Sequence, residues 1–179
     1  MMETYQFTLI IEGADLQTDD MIDALYDAGC SDALIGRADG VQYVDVDREA
    51  SSLEEAILSA VADVEHLEGV EVVRLADAGL VSMADIANRM GRTRESVRLL
   101  IAGERGPGGF PPPVTDPRGR YRLWRWSEVE RWLTTHFGDQ PTHHDDHVAA
   151  AINAGLELRH HSRYVNPNGR IDLRQLAGL

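Results

Sequence analysis

Residues 82–103 read SMADIANRMGRTRESVRLLIAG, a stretch that two short helices account for. Ser82 can cap the first helix and Thr93 the second, because Ser and Thr side-chain oxygens accept hydrogen bonds from the free N–H groups at helix starts. Gly91 and Gly103 end the two helices, since glycine adopts the left-handed conformation common after a last helical turn. The sequence therefore predicts two helices joined by a short turn.

Small and apolar residues in this stretch fit two helices that cross closely. Ala87 allows the helices to approach each other, and Gly91, four residues later, permits the tight turn between them. Val97 lies six residues after Gly91 and fills the space between the helices together with Ile86. The Ala-x3-Gly-x5-Val spacing predicts a helix-turn-helix and resembles DNA-binding proteins that contain this motif.

The residues that follow the second helix extend the pattern. A Phe- and Pro-rich segment at 109–114 leads to a turn at 116–120, a strand at 121–125 and a Trp-rich helix that opens at 126. With the two helices before them, these elements resemble the winged helix-turn-helix of the MerR, excisionase and AlpA-type DNA-binding proteins. The resemblance covers about residues 80–136. It implies that the second helix enters the major groove and that a basic hairpin, the wing, contacts the backbone or the minor groove.

The resemblance assigns DNA contacts to two sets of residues. The recognition helix carries Thr93, Arg94, Glu95, Ser96 and Arg98. The turn carries Arg92, and the wing carries Arg118, Arg120 and Arg122. Arginine suits these roles because its guanidinium can donate two hydrogen bonds to guanine N7 and O6. Arg94 and Arg98 are four residues apart and so share one helix face; the alternative is that such arginines are solvated helix charges paired with Glu95 or Asp85.

Charge along the chain changes sign between segments. All 17 basic residues are arginines, against 30 acidic residues, and the net charge is −13. Residues 1–77 carry a net charge of −16, residues 78–136 of +4 and residues 137–179 of −1. Because the local charge sets the field at a binding face, the middle segment fits a polyanionic partner. The acidic segment is either a solvated face or a surface for a basic partner or a small ligand.

The acidic segment has the pattern of a small α+β domain. The predicted elements are strand 5–11, a helix between Thr18 and Gly29, strands 33–37 and 41–46, a helix between Ser52 and Gly69, and strand 70–75. Asp39-Gly40 indicates a type I′ hairpin turn between the middle strands, and Ser52 with Glu55 indicates a capping box. The order β-α-β-β-α-β is that of the ferredoxin-like fold.

The C-terminal segment is predicted to be a linker and a helical tail. Residues 138–141 form the linker, 148–158 have helical character and 166–169 form a turn. The tail is too small to fold alone, so we expect it to pack on the winged domain or on another subunit. The predicted division is therefore an acidic ferredoxin-like domain at 1–77, a winged helix-turn-helix domain at 78–137, and the tail at 138–179.

Several function classes are disfavoured by what the sequence contains. The single cysteine, Cys30, allows neither a disulfide framework nor a Cys-based zinc finger. His143 and His147 have a spacing that could share a metal, but the run reads more simply as a helix start. No apolar run approaches the ~20 residues of a membrane span, and no signal-peptide pattern is present. We expect a cytoplasmic protein without catalytic residues, metal or cofactor.

Two functions from different classes compete. The first is a sequence-specific double-stranded DNA-binding protein, a transcription regulator that acts as a homodimer, because one helix-turn-helix reads only a few base pairs. A protein or small-molecule effector would act on its acidic domain. The alternative is an antitoxin-like interaction protein, whose acidic domain binds a basic partner while the winged domain represses its own operon. The three tryptophans, Trp124, Trp126 and Trp132, are core residues in this interpretation rather than platforms for base stacking.

Overall fold

A computed structural model of the chain describes residues 2–76, 79–138 and 145–165, without the side chains of residues 146 and 165. The described residues form six strands and six helices, so the protein is of the α+β class, as the sequence predicts. They fall into two compact units. The first holds 2–76 and 151–165, and the second holds 79–138 and 145–150.

The first unit contains one antiparallel sheet with strand order β2-β3-β1-β4. Its elements are β1 Glu3–Gly13, α1 Asp19–Asp27, β2 Ala33–Ala38, β3 Val41–Ala50, α2 Leu53–Glu65 and β4 Val70–Leu75. All six elements were predicted. β1 and β3 are longer than the alternation of apolar residues indicates, because their polar ends pair with each other, from Glu3 opposite Ala50 to Gln6 opposite Asp47.

Local signals at turns and helix starts behave largely as predicted. Asp39 and Gly40 have φ values of 49° and 83°, the positive values that a type I′ turn requires. The Ser52 side chain accepts a hydrogen bond from the Glu55 N–H at 3.2 Å. The predicted capping box is incomplete, however, because the Glu55 carboxylate accepts from the Ser51 N–H, at 3.0 Å, one residue before the cap.

The core of the first unit lies between the sheet and its helices. On α2 the apolar side is buried, with Ile57 and Val64 almost without exposure. On α1 only Leu25 is buried, whereas Ile22 and Tyr26 are 45% and 67% exposed. Ile22, Leu25 and Tyr26 have helical spacing, but only Leu25 reaches the core. The outer side of α1 is therefore partly apolar.

Helix α6, Asp145–Val165, continues well beyond the predicted 148–158. Residues 151–165 of this helix pack on the first unit, a contact that the sequence does not indicate. The Asn153 side-chain oxygen accepts from the Leu75 N–H at 2.8 Å. Arg159 donates to the Val72 carbonyl at 2.9 Å and to Glu65. These contacts satisfy backbone groups at the edge of β4, which would otherwise need solvent.

The second unit contains two short strands and three complete helices. These are β5 Leu80–Ser82, α3 Met83–Arg89, α4 Arg94–Ile101, β6 Leu123–Arg125 and α5 Trp126–Phe137. β5 was not predicted, because three residues are too few to show an alternating pattern. It pairs antiparallel with β6, which is shorter than the predicted strand 121–125. The predicted turn at 166–169 and the side chains of His143 and His144 lie outside the described residues.

Candidate nucleic-acid interface

The α3–turn–α4 segment has the local geometry that its sequence predicts. Ser82 and Asp85 form a full capping box, in which the Asp85 carboxylate accepts from the Ser82 N–H at 2.8 Å. Ala87 and Val97 are buried at the contact between the helices. Gly91 has φ of 60°, a left-handed value that favours glycine at this turn. The two helices are thereby held on one shared core.

Helix α4 turns its first residues toward solvent. The Thr93 hydroxyl caps the helix by accepting from the Ser96 N–H at 3.2 Å. Arg92, Thr93, Arg94 and Glu95 are exposed and Ser96 is half-buried, while Val97 and Leu100 point into the core. The predicted site residues from Thr93 to Ser96 therefore lie together at the start of α4, where free N–H groups and the helix dipole favour anions, whereas Arg98 lies in the last turn.

Arg98 and Arg94 have different surroundings, although their spacing predicts one shared helix face. The Arg98 Nε donates to both Glu95 carboxylate oxygens, at 3.1 and 3.0 Å. Its terminal nitrogens donate to Glu104 at 3.5 and 3.4 Å. Arg94 forms no hydrogen bond or ion pair within the described part of the chain. The ion-paired alternative thus holds for Arg98 and not for Arg94.

The Arg98 ion pairs affect the acidity of their members. Hydrogen bonding from Arg98 lowers the pKa of the Glu95 carboxyl, and the two carboxylates raise the pKa of the Arg98 guanidinium. Both shifts favour the ionised forms of Glu95 and Arg98. Since Arg98 contributes one positive charge and Glu95 and Glu104 two negative ones, the group carries a local charge of −1 beside the otherwise basic start of α4.

The segment between α4 and β6 is an irregular loop with a few internal hydrogen bonds, and not the predicted two-stranded hairpin. A turn is closed by the Gly119 N–H, which donates to the Asp116 carbonyl at 2.9 Å. The Val114 N–H donates to the Leu123 carbonyl at 2.8 Å, and the Leu123 N–H donates to the Thr115 hydroxyl at 3.1 Å. Prolines at 111–113 and 117 have no N–H to donate, which prevents a regular ladder here.

The loop arginines are placed at different depths. Arg118 is 88% exposed and pairs with Asp116 at 3.1 Å, which lowers the pKa of that carboxyl. Arg120 is exposed and lies 5.7 Å from the Tyr121 ring centroid. Arg122 is half-buried over Trp124, at 5.5 Å. Arg118 and Arg120 are therefore the two predicted wing residues that face solvent most fully.

Two arginines near the helix turn rest on aromatic rings. Arg92, a predicted site residue, lies 5.2 Å from the Phe137 ring centroid. Arg89 lies 4.7 Å from that of Trp126 and is also exposed. Arg89 could not be predicted from the sequence, because the packing of α5 decides which side of α3 faces solvent. Cation–π contacts of this kind orient an arginine while its donors remain available.

The three tryptophans are buried, and two of them donate to backbone carbonyls in or just before the Phe- and Pro-rich segment. Trp124 is 0% exposed, and its Nε1–H donates to the Pro111 carbonyl at 3.2 Å. The Trp132 Nε1–H donates to the Gly108 carbonyl at 2.9 Å. With Trp126 they belong to a core that includes Val81, Ile86 and Val129. Their surfaces are not available for base stacking.

The first unit holds a buried arginine, Arg48, whose role the sequence does not indicate. Arg48 donates to Asp32 at 2.8 and 3.0 Å and to Asp63 at 2.7 Å. Cys30 lies 3.8 Å from the same guanidinium, and burial raises the pKa of its thiol. A protonated, buried thiol is a poor nucleophile. This network therefore supports the fold of the first unit, and Cys30 is part of it.

Asp32 gives the first unit a pH-dependent stability. Hydrogen bonds from Arg48 lower the pKa of the Asp32 carboxyl, so its contribution is present above the unfolded value of about 3.9 and is lost as pH falls through the folded value. Asp32→Asn is expected to flatten the stability loss below about pH 4. Urea unfolding between pH 3 and 7, followed by NMR signals of Val44 and Val46, measures this. Exposed Asp47→Asn is the control, and an equal change in both variants would contradict the prediction.

Comparison of the chain with models of protein families, with curated proteins and with solved structures gave no match. In the described ranges, no helix is both long and apolar enough to cross a membrane. The same ranges contain no group of three or more His, Cys, Asp or Glu residues able to hold a metal ion. We therefore infer function from the exposed arginines of the second unit and their contacts.

Proposed function

We propose that the protein binds double-stranded DNA with sequence specificity through α4. The observation that carries the proposal is Arg94, which is exposed at the first turn of a helix whose opposite side is anchored in the core, and which has no partner in the described residues. A free guanidinium on a rigid helix can reach guanine N7 and O6 in the major groove. The exposed Arg92 beside it suits a backbone phosphate.

We propose a winged helix-turn-helix for the second unit and a ferredoxin-like fold for the first. The α3–turn–α4 pair, the loop that carries Arg118 and Arg120, and the closing helix α5 support the former. The element order β-α-β-β-α-β and the antiparallel strand order β2-β3-β1-β4 support the latter. In this arrangement the loop lies beside the DNA backbone or the minor groove, where its arginines replace counterions on phosphates.

We propose that the protein acts as a homodimeric transcription regulator. One α4 reads only a few base pairs, so two copies on a two-fold symmetric site are expected. Selection of bound duplexes from a random DNA pool by the purified full chain tests whether the protein recognises a two-fold symmetric site. The expected result is a consensus with two inverted half-sites. Recovery of random sequences would overturn sequence-specific recognition.

The outer side of α1 favours a second candidate function, an antitoxin-like interaction protein. Exposed Ile22 and Tyr26 lie on a helix that also exposes its four aspartates, at 19, 20, 23 and 27. An apolar strip with acidic neighbours complements a basic protein surface. In this case, a basic partner produced together with the chain co-purifies with it, and Tyr26→Ser abolishes the co-purification. DNA selection and this test are independent.

Arg120→Gln is expected to weaken binding to all DNA sequences by the same factor. Arg120 is exposed on the loop, and each phosphate contact adds about 0.9 to the slope of log affinity against log salt. The measurement is the salt dependence of binding to a selected and to a random duplex. Arg74→Gln, which removes an exposed arginine of the first unit, is the charge-matched control. A change in the preferred sequence would instead make Arg120 a base reader.

A further inference from the structure

Glu95 is an acidic residue at the end of α4 that is proposed to face DNA. Its side chain is 66% exposed, and both of its oxygens accept from the Arg98 Nε. The same guanidinium also binds Glu104, which follows Gly103, beyond the last residue of α4. The two carboxylates therefore share one cation, but only Glu95 is on the helix.

We infer that Glu95 is a specificity-determining residue that accepts a hydrogen bond from a cytosine, and that Arg98 is a positioning residue that holds it. Arg94 is then the guanine reader on the same helix end. The inference rests on the proposed function, since it assigns roles within the DNA contact of α4. It predicts a half-site in which both a guanine and a cytosine are read by adjacent residues.

Electrostatics keep Arg98 with its two carboxylates when DNA is near. If Arg98 moved to a base or a phosphate, Glu95 and Glu104 would face a polyanion without a cation. Like-charge contacts of this kind are strongly unfavourable in an interface. By contrast, Arg94 has no carboxylate to leave behind within the described residues. Arg94 is therefore available for a base contact, whereas Arg98 neutralises Glu95 and Glu104.

A carboxylate held in the major groove distinguishes cytosine from thymine by its hydrogen-bonding pattern. Cytosine presents the N4 amino group, which donates to Glu95, whereas thymine presents the O4 oxygen, which repels it. Discrimination therefore comes from an attractive contact with one base and a repulsive one with the other. The contact with Arg98 limits the rotamers of Glu95 and orients its oxygens.

A matched pair of variants tests the inference. Glu95→Gln and Glu104→Gln each remove one negative charge from a partner of Arg98. Only Glu95→Gln alters a side chain on α4. Duplex selection and affinity measurement at one salt concentration are carried out for the wild type and both variants. Glu95→Gln is expected to lower the preference for cytosine over thymine at one position of each half-site about tenfold, because an amide can also donate to thymine O4. Glu104→Gln is expected to raise affinity for all sequences alike.

The base preference of Arg98→Gln distinguishes positioning of Glu95 from a purely structural role of Arg98. Arg98→Gln is expected to lower the cytosine preference at the same position as Glu95→Gln, since Glu95 loses its anchor, while the guanine preference is kept. Loss of the guanine preference in this variant would make Arg98 itself the reader and would overturn the inference. An equal change of base preference in Glu95→Gln and Glu104→Gln, or none in Glu95→Gln, would also overturn it. A wild type that selects no consensus would instead overturn the proposed function.

Discussion

Trp124→Ala is expected to destabilise the second unit by roughly 3–5 kcal/mol, the range for removing a large aromatic side chain from a core. Trp124 is 0% exposed and lies on β6, opposite Val81 of β5. Its indole N–H also holds the Pro111 carbonyl. The substitution therefore leaves a cavity and an unpaired carbonyl, and it loosens the start of the loop that carries Arg118 and Arg120.

Urea unfolding of the full chain, followed by the fluorescence of Trp126 and Trp132, measures the loss. Tyr121→Ala is the matched control, because Tyr121 is an aromatic residue in the same segment that is 80% exposed. We expect the control to change stability by no more than about 0.5 kcal/mol. Similar losses for both substitutions would mean that Trp124 is not the centre of this core.

Features that depend on neighbouring residues could be predicted from the sequence. Ser82 and Thr93 cap helices as expected, because a cap is decided by residues two or three positions apart. The turn at Asp39-Gly40 follows from the positive φ that its type requires. The α+β class follows from the order of such local elements.

Features that depend on distant residues could not be predicted. Leu75 and Asn153 are 78 positions apart, and nothing in either neighbourhood indicates their hydrogen bond. The burial of Arg48 likewise depends on Asp32 and Asp63, which come from a loop and from α2. A short strand such as β5 is defined only by its partner. Tertiary contacts rather than local patterns decide these features.

The candidate site combines both kinds of feature. Its position on α4 follows from local caps and helical spacing. Local spacing also allows the pair between Arg98 and Glu95. It does not indicate the second partner of Arg98, because Glu104 reaches it only after the chain turns at Gly103. Spacing predicts which residues share a helix face, whereas the charge available on that face depends on how the following segment folds back.

Arg94→Ala is expected to lower the ratio of specific to random DNA affinity roughly fivefold to 150-fold, the equivalent of about 1–3 kcal/mol for a bidentate arginine–guanine contact. Affinity for random DNA is expected to change little by comparison, because a base contact is made only at the preferred site. Both affinities are measured at one fixed salt concentration, since phosphate contacts make each of them salt-dependent.

Arg105→Ala is the matched control for Arg94→Ala. Arg105 is also an exposed arginine of the second unit, but it lies after α4 and outside the proposed contact. Both variants remove one positive charge, so any loss of general attraction to DNA is shared. A difference between the two variants in the ratio of specific to random DNA affinity therefore reports a base contact by Arg94. If both ratios equal that of the wild type, Arg94 contacts phosphate alone. The proposed reading of guanine by Arg94 would then be wrong.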